Sequence, residues 1–215
     1  MREQHIELDT GAKVRRARRP DASLVLVGFG GGSPRPTPLA DSPSLVWLLD
    51  RLAAEGVEAE QWELLYRLAS WHDLEGCIRD GAAAVREAAA SGRPIALLGF
   101  SMGGAVATAV AGHPQVESVV AASPWIPSEL ALDGVRGRPV RVVHGALDGW
   151  LPGIPGVPPR HSRAAVQRMR SLGVAATHST VKGAVHPFAV RGPGGVLIPA
   201  PGARRRARLI KDEIA

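Results

Sequence analysis

Three residues in this sequence are of the types and in the order that acyl-transfer chemistry needs. Ser101 lies in the stretch LLGFSMGGAVAT, residues 97–108, between Gly99 and Gly103 with Gly104 close behind. A serine hydroxyl of ordinary pKa is a weak nucleophile. It needs a base, and the base needs an acid to orient it. Asp148 follows the apolar run PVRVVHGAL, in a glycine-flanked turn. His186 follows the run ending at Lys182, between a glycine turn and Pro187. In chain order these are a nucleophile, an acid and a base. Each has a rival. Asp148 can also be read as an Asx-turn former. Asp133 and Glu129 precede a strand, the wrong end for catalysis on a parallel sheet. Of the other histidines, His144 lies just before the Asp148 turn and is expected to pack or bond there. His161 starts a helix, His178 lies within a strand, and His5, His72 and His113 lie on other elements. No two histidines have metal-ligand spacing, so no metal is expected.

These residues need a frame that delivers them to one edge. Residues 94–99 are continuously apolar, the pattern of a parallel strand buried on both faces. Residues 102–112 read as a helix of small residues. A strand turning sharply into a helix with a serine at the corner is a nucleophile elbow. It lifts the hydroxyl clear of the backbone and leaves the Met102 N–H at a helix start, free to donate to an oxyanion. Further strands are expected at 23–29, 116–125, 139–148 and 175–182, an ambiguous one at 57–66, and one or two edge strands within 5–19. Helices are expected at 44–56, 73–91, 161–172 and 203–214, and long surface loops at 30–43, 152–159 and 192–202. Strands alternate with helices, so the expected class is α/β, a mainly parallel sheet with helices on both faces. One domain is expected over residues 1–215.

The second oxyanion donor is expected in the loop after the strand at 23–29, from the N–H of Phe29 or Gly30. A phosphate cradle is the other reading of this glycine-rich loop, GFGGGS, but it lacks the Gly-Lys-Ser/Thr ending and the third glycine of the nucleotide fingerprints. Trp125, Trp150, Leu151 and Phe188 adjoin the reactive turns, either as walls of an acyl pocket or as packed loop residues. The dozen or so residues between the strands at 116–125 and 139–148 are too few for a helical cap. An open site favouring short, soluble acyl groups is therefore expected, with residues 196–199 as the one apolar segment able to act as a makeshift lid.

The chain has 215 residues, 45% of them hydrophobic and 21% charged, which is ordinary for a globular protein. A single cysteine, Cys77, cannot form an internal disulfide. No window has signal-peptide or membrane-span character, so a cytoplasmic location, with no membrane partner, is expected. The net charge is +6, and only Lys13, Lys182 and Lys211 among the 26 basic residues are lysines. The arginine clusters at 15–19 and 204–208 lack interleaved aromatic residues and any nucleic-acid motif. They read as a solvated strand edge and a solvated helix, with no nucleic-acid partner.

Taken together, VLVGFGGGS, LLGFSMGGAVA, VVHGALDGWLP and GAVHPF, spread over residues 23–188, resemble the α/β-hydrolase superfamily, and most of all its small dienelactone-hydrolase-like serine esterases. The resemblance implies an α/β-hydrolase fold without a cap domain, and a Ser101–His186–Asp148 triad. It implies no cofactor, and a small-molecule ester, lactone or thioester as substrate. Two departures stand out. Dienelactone hydrolases proper use a cysteine where this chain has Ser101. Many relatives carry a histidine before the oxyanion glycine, where this chain has Val27 or Gly28. Two other readings remain: a thioesterase or cyclising acyl transferase, which the same triad would serve, and a non-catalytic protein that kept the fold. The sequence does not set the oligomeric state.

Overall fold

The computed structural model describes residues 3–150 and 156–214. Strands β3 (Leu24–Phe29), β5 (Ile95–Phe100), β6 (Val116–Ala122) and β7 (Val140–Gly145) form the middle of an eight-stranded sheet. The others are β1 (Glu3–Glu7), β2 (Lys13–Ala17), β4 (Ala59–Leu65) and β8 (Ala176–Val181). The spatial order is β1-β2-β4-β3-β5-β6-β7-β8. Only β2 runs against its neighbours; the six strands from β4 to β8 are parallel. Parallel strands require crossover connections, and here helices supply them.

Each central strand buries both faces, and its side chains divide alternately between two cores. Val25, Val27, Ile95, Leu97, Val119 and Ala121 face α2 (Leu74–Ala89), α3 (Gly103–Val110) and α4 (Pro159–Ser171). Leu26, Leu98, Phe100, Val120 and Val143 face α1 (Pro43–Ala54) and α5 (Ala203–Ile214). Packing on both faces holds the carboxyl ends of β5, β7 and β8 at one edge, where Ser101, Asp148 and His186 follow.

Three elements depart from expectation. The stretch at 57–66 is ambiguous in sequence because it mixes polar and apolar residues, yet β4 is buried along its whole length. Its polar side chains are satisfied inside the sheet region. Glu60 accepts from Arg16 and Arg93, Glu63 pairs with Arg15, and Gln61 donates to the Leu49 carbonyl. The arginines at 15–16 are therefore pairing groups rather than a solvated edge. Secondly, the expected loop 192–202 holds a small hairpin, β9 (Ala189–Arg191) with β10 (Leu197–Pro199). Gly194 and Gly195 take the left-handed backbone that its turn requires. Thirdly, α5 is solvated on one face only: Arg204, Arg205 and Arg208 are exposed, while Ala203, Arg206, Ala207 and Ile210 are buried. Among the described residues no helix is long and apolar enough to cross a membrane.

Candidate active site

Ser101 follows β5 directly and has φ +55°, in the left-handed region. For a residue with a Cβ this costs about 1–3 kcal/mol and persists only where the surroundings enforce it. They do so through the backbone. The Ser101 N–H donates to Ala122 O at 3.1 Å, and its carbonyl accepts from the N–H groups of Gly104 and Trp125, each at 2.9 Å. Gly103 explains the crowding of small residues: a Cβ there would overlap the Phe29 carbonyl, so α3 could not approach β3.

His186 Nε2 lies 3.0 Å from Ser101 Oγ, and its Nδ1 lies 2.8 Å from Asp148 Oδ2. Asp148 is buried, and its Oδ1 accepts from the Val157 N–H at 2.7 Å. Burial alone would raise its pKa. Hydrogen bonds from His144 and His186 outweigh that and lower it to about 2, so the carboxylate is firmly charged. The rival acids are elsewhere: Asp133 pairs with Arg136, and Glu129 bonds Ser128, both on the surface. Among the described residues no group of three or more His, Cys, Asp or Glu side chains could hold a metal ion.

Beside Ser101 runs the loop after β3. Gly30, Gly31 and Gly32 line the adjoining cavity, and a Cβ on Gly31 would sit 3.3 Å from the Ser101 Cβ. Phe29, the last residue of β3, has its ring fully buried in the core. Of the two residues whose N–H is an expected donor, Gly30 lines the cavity, as does Gly31 after it. Met102 is buried at the start of the helical turn, directly after Ser101.

Two cavities meet at Ser101, His186 and Trp71, which line both. One, of about 580 Å³, extends past Gly30–Gly32, Ser42, Phe100 and Arg191. The other, of about 410 Å³, extends past Trp125, Gly156 and Val157. Of the expected pocket residues, Trp125 is in place. Trp150 is 78% exposed and lines neither cavity. Phe188 is core: it packs edge-on to Phe100 at 5.8 Å between ring centroids and against Arg206. Leu151 lies outside the described residues.

Two contributors escaped the sequence reading. Trp71 stands on the turn after β4, at the same strand edge as the reactive groups, and the strand-end rule would have found it. Arg206 is fully buried. It donates to Ser123 Oγ (3.0 Å), His186 O (3.1 Å) and Pro187 O (2.7 Å), and its guanidinium lies 3.9 Å from the centre of the Phe188 ring. It therefore holds the histidine loop from behind. Within an arginine-rich cluster, nothing in the sequence distinguishes it from its exposed neighbours.

A model of the dienelactone hydrolase family matches residues 48–207. No curated protein matches the chain in sequence. Among solved structures, the fold is similar to that of an α/β serine hydrolase homologue from Coxiella burnetii, at TM-score 0.70 and 16% identity, covering 99% of this chain and 95% of that one. It is also similar to a propionate-bound thermophilic esterase from Thermogutta terrifontis, at TM-score 0.66 and 18% identity, covering 99% and 92%. A homologue of hormone-sensitive lipase from a metagenome library aligns at TM-score 0.68 and 21% identity, covering 99% and 85%.

Proposed function

The chain belongs to the dienelactone hydrolase family and is an ester-hydrolysing α/β hydrolase, and from that premise we propose that Ser101, His186 and Asp148 are its catalytic triad, acting on carboxylic esters or lactones of small soluble substrates. One observation carries the assignment: a serine in the left-handed region has its oxygen 3.0 Å from a histidine whose other nitrogen is 2.8 Å from a buried carboxylate.

In this reading His186 Nε2 takes the Ser101 proton as Oγ bonds to the acyl carbon. The carbonyl oxygen becomes an oxyanion, stabilised by the Met102 N–H and by an N–H of the Gly30–Gly31 segment; one such donor contributes about 3 kcal/mol. The tetrahedral intermediate collapses as His186 gives the proton to the leaving alkoxide, and an acyl-Ser101 ester remains. Water then loses a proton to His186 and attacks the acyl carbon. The second collapse frees the acid and returns the proton to Ser101. Asp148 keeps the Nδ1–H tautomer facing itself and stabilises the imidazolium. The two cavities meeting at Ser101 offer separate places for the acyl and leaving groups, and both fall in the usual size range for small-molecule sites, about 300–1,000 Å³.

The test is turnover of p-nitrophenyl esters from acetyl to palmitoyl, run beside acyl thioesters. Short acyl esters should be preferred, and Ser101→Ala and His186→Ala should each lose activity by orders of magnitude. An optimum at about ten carbons or more would contradict the small-substrate reading. Faster turnover of thioesters would replace it with the thioesterase reading.

A further inference from the structure

Behind Asp148 lies a second layer of polar groups that the triad does not account for. His144 is fully buried on β7, four residues before the acid. Its Nε2 is 2.8 Å from the Val157 carbonyl and 3.0 Å from Asp148 Oδ2. Both are acceptors, so this nitrogen must carry a proton; it is hydrogen-bonded to the Val157 carbonyl, and Asp148 Oδ2 lies within reach of the same N–H. Its Nδ1 lies 2.8 Å from the hydroxyl of Ser162 on α4, which in turn is 2.8 Å from His178 Nε2 on β8. The rings of His144 and His178 are stacked, 6.0 Å apart. Three elements thus converge to orient one imidazole whose N–H faces the catalytic carboxylate. Packing alone would call for an apolar residue, since a buried imidazole must be matched at both nitrogens.

We propose that His144 is a positioning residue of the active site: its Nε2–H is a second donor to Asp148 Oδ2, holding the carboxylate for His186 and restraining how strongly that carboxylate pulls on the His186 proton. The inference rests on the triad reading above. His144 and His186 address the same oxygen, so they compete for its electron density. Removing the His144 donor concentrates charge on Oδ2 toward His186 and favours the imidazolium. The charged and titratable groups facing this cluster are Asp148 from the β7 turn, His186 from the loop after β8, Arg206 from α5, His178 from β8, and Arg163 and Arg170 from α4.

The experiment is the pH profile of kcat/KM, with kcat and KM measured separately, for the wild type, His144→Leu and His144→Gln. His144→Leu should lower kcat about tenfold or more with little change in KM. It should also move the acid limb upward by about half a pH unit or more. His144→Gln, which restores an N–H near the same place, should recover both. A purely structural histidine would behave differently: loosening Asp148 would leave the acid limb in place or move it down, because His186 would lose its partner, and that result overturns the proposal. If His144→Leu does not fold, nitrogen NMR of histidine-labelled wild type decides. A bare Nε2 on His144 overturns the proposal; a protonated Nε2 whose proton shift follows the protonation of His186 supports it, and one whose shift is indifferent to it overturns it. A fluorophosphonate probe separates the two layers: failure to label Ser101 would remove the triad reading itself, whereas labelling with an unmoved acid limb would remove only the role of His144.

Discussion

Replacing Arg206 with methionine should damage both stability and catalysis. The change keeps a long unbranched stem and deletes the guanidinium, leaving Ser123 Oγ and the carbonyls of His186 and Pro187 without their donor. Each buried acceptor left unpaired costs about 1–3 kcal/mol. Loss of the contact over the Phe188 ring adds about 1–2 kcal/mol. Against this, the variant no longer buries a charge, a relief of several kcal/mol. Burial lowers the Arg206 pKa to about 10, opposed by the Asp148 charge, so the group stays cationic at neutral pH and that relief is real. The balance is a net destabilisation of about 2–4 kcal/mol, or a Tm lower by about 5–15 °C in a chain of this size. Well below that Tm, kcat should still be reduced, because the carbonyl of His186 is no longer tied to α5. Calorimetry and esterase kinetics on the purified variant measure both. A Tm within about a degree of wild type, with unchanged kcat, would refute the claim that this buried cation holds the histidine loop.

Other outcomes follow from the same geometry. Ser101→Gly should melt above Ser101→Ala, by about 1–2 kcal/mol in stability, because only glycine occupies φ +55° freely; equal stabilities, read by denaturant titration, would show that the elbow is unstrained. Trp71→Ala should raise KM far more than it lowers kcat and should flatten chain-length preference, since Trp71 lines both cavities without touching the triad hydrogen bonds; a chain-length series checks this. Asp148 and Glu60 both titrate near pH 2 in the fold, below their ordinary values of 3.8 and 4.5. In each, burial works upward and is overcome by hydrogen bonds, from His144 and His186 for Asp148, and from Arg16, Trp62, Arg19 and Arg93 for Glu60. The stability they supply is complete above those ordinary values and is lost as pH falls from about 4.5 toward 2, so Tm measured across that window should drop, less steeply in Glu60→Gln.

The elbow was legible because its physics is local. A buried strand, a serine and small residues at fixed offsets can be read within twelve positions, and Gly103 is small for a reason the structure makes concrete. Asp148 and His186 were legible because parallel strands deliver their carboxyl ends to one edge. What the sequence did not disclose is long-range pairing. Glu60 and Glu63 look like surface residues until β2 brings Arg16 and Arg15 against them, across more than forty positions of chain. Arg206 looks like one arginine among several until α5 turns it under the His186 loop. Phe188 and Trp150 show the converse: proximity in sequence to a reactive turn does not say which way a side chain faces.

The central claim is that Ser101 is an activated nucleophile. Its most direct test is exposure of the native protein to a fluorophosphonate, followed by mass spectrometry of the digest and by the same treatment of His186→Ala. The account predicts a single adduct on Ser101, formed rapidly in the wild type and orders of magnitude more slowly without the histidine. An adduct on another residue, no adduct at all, or undiminished ester hydrolysis by Ser101→Ala would contradict it.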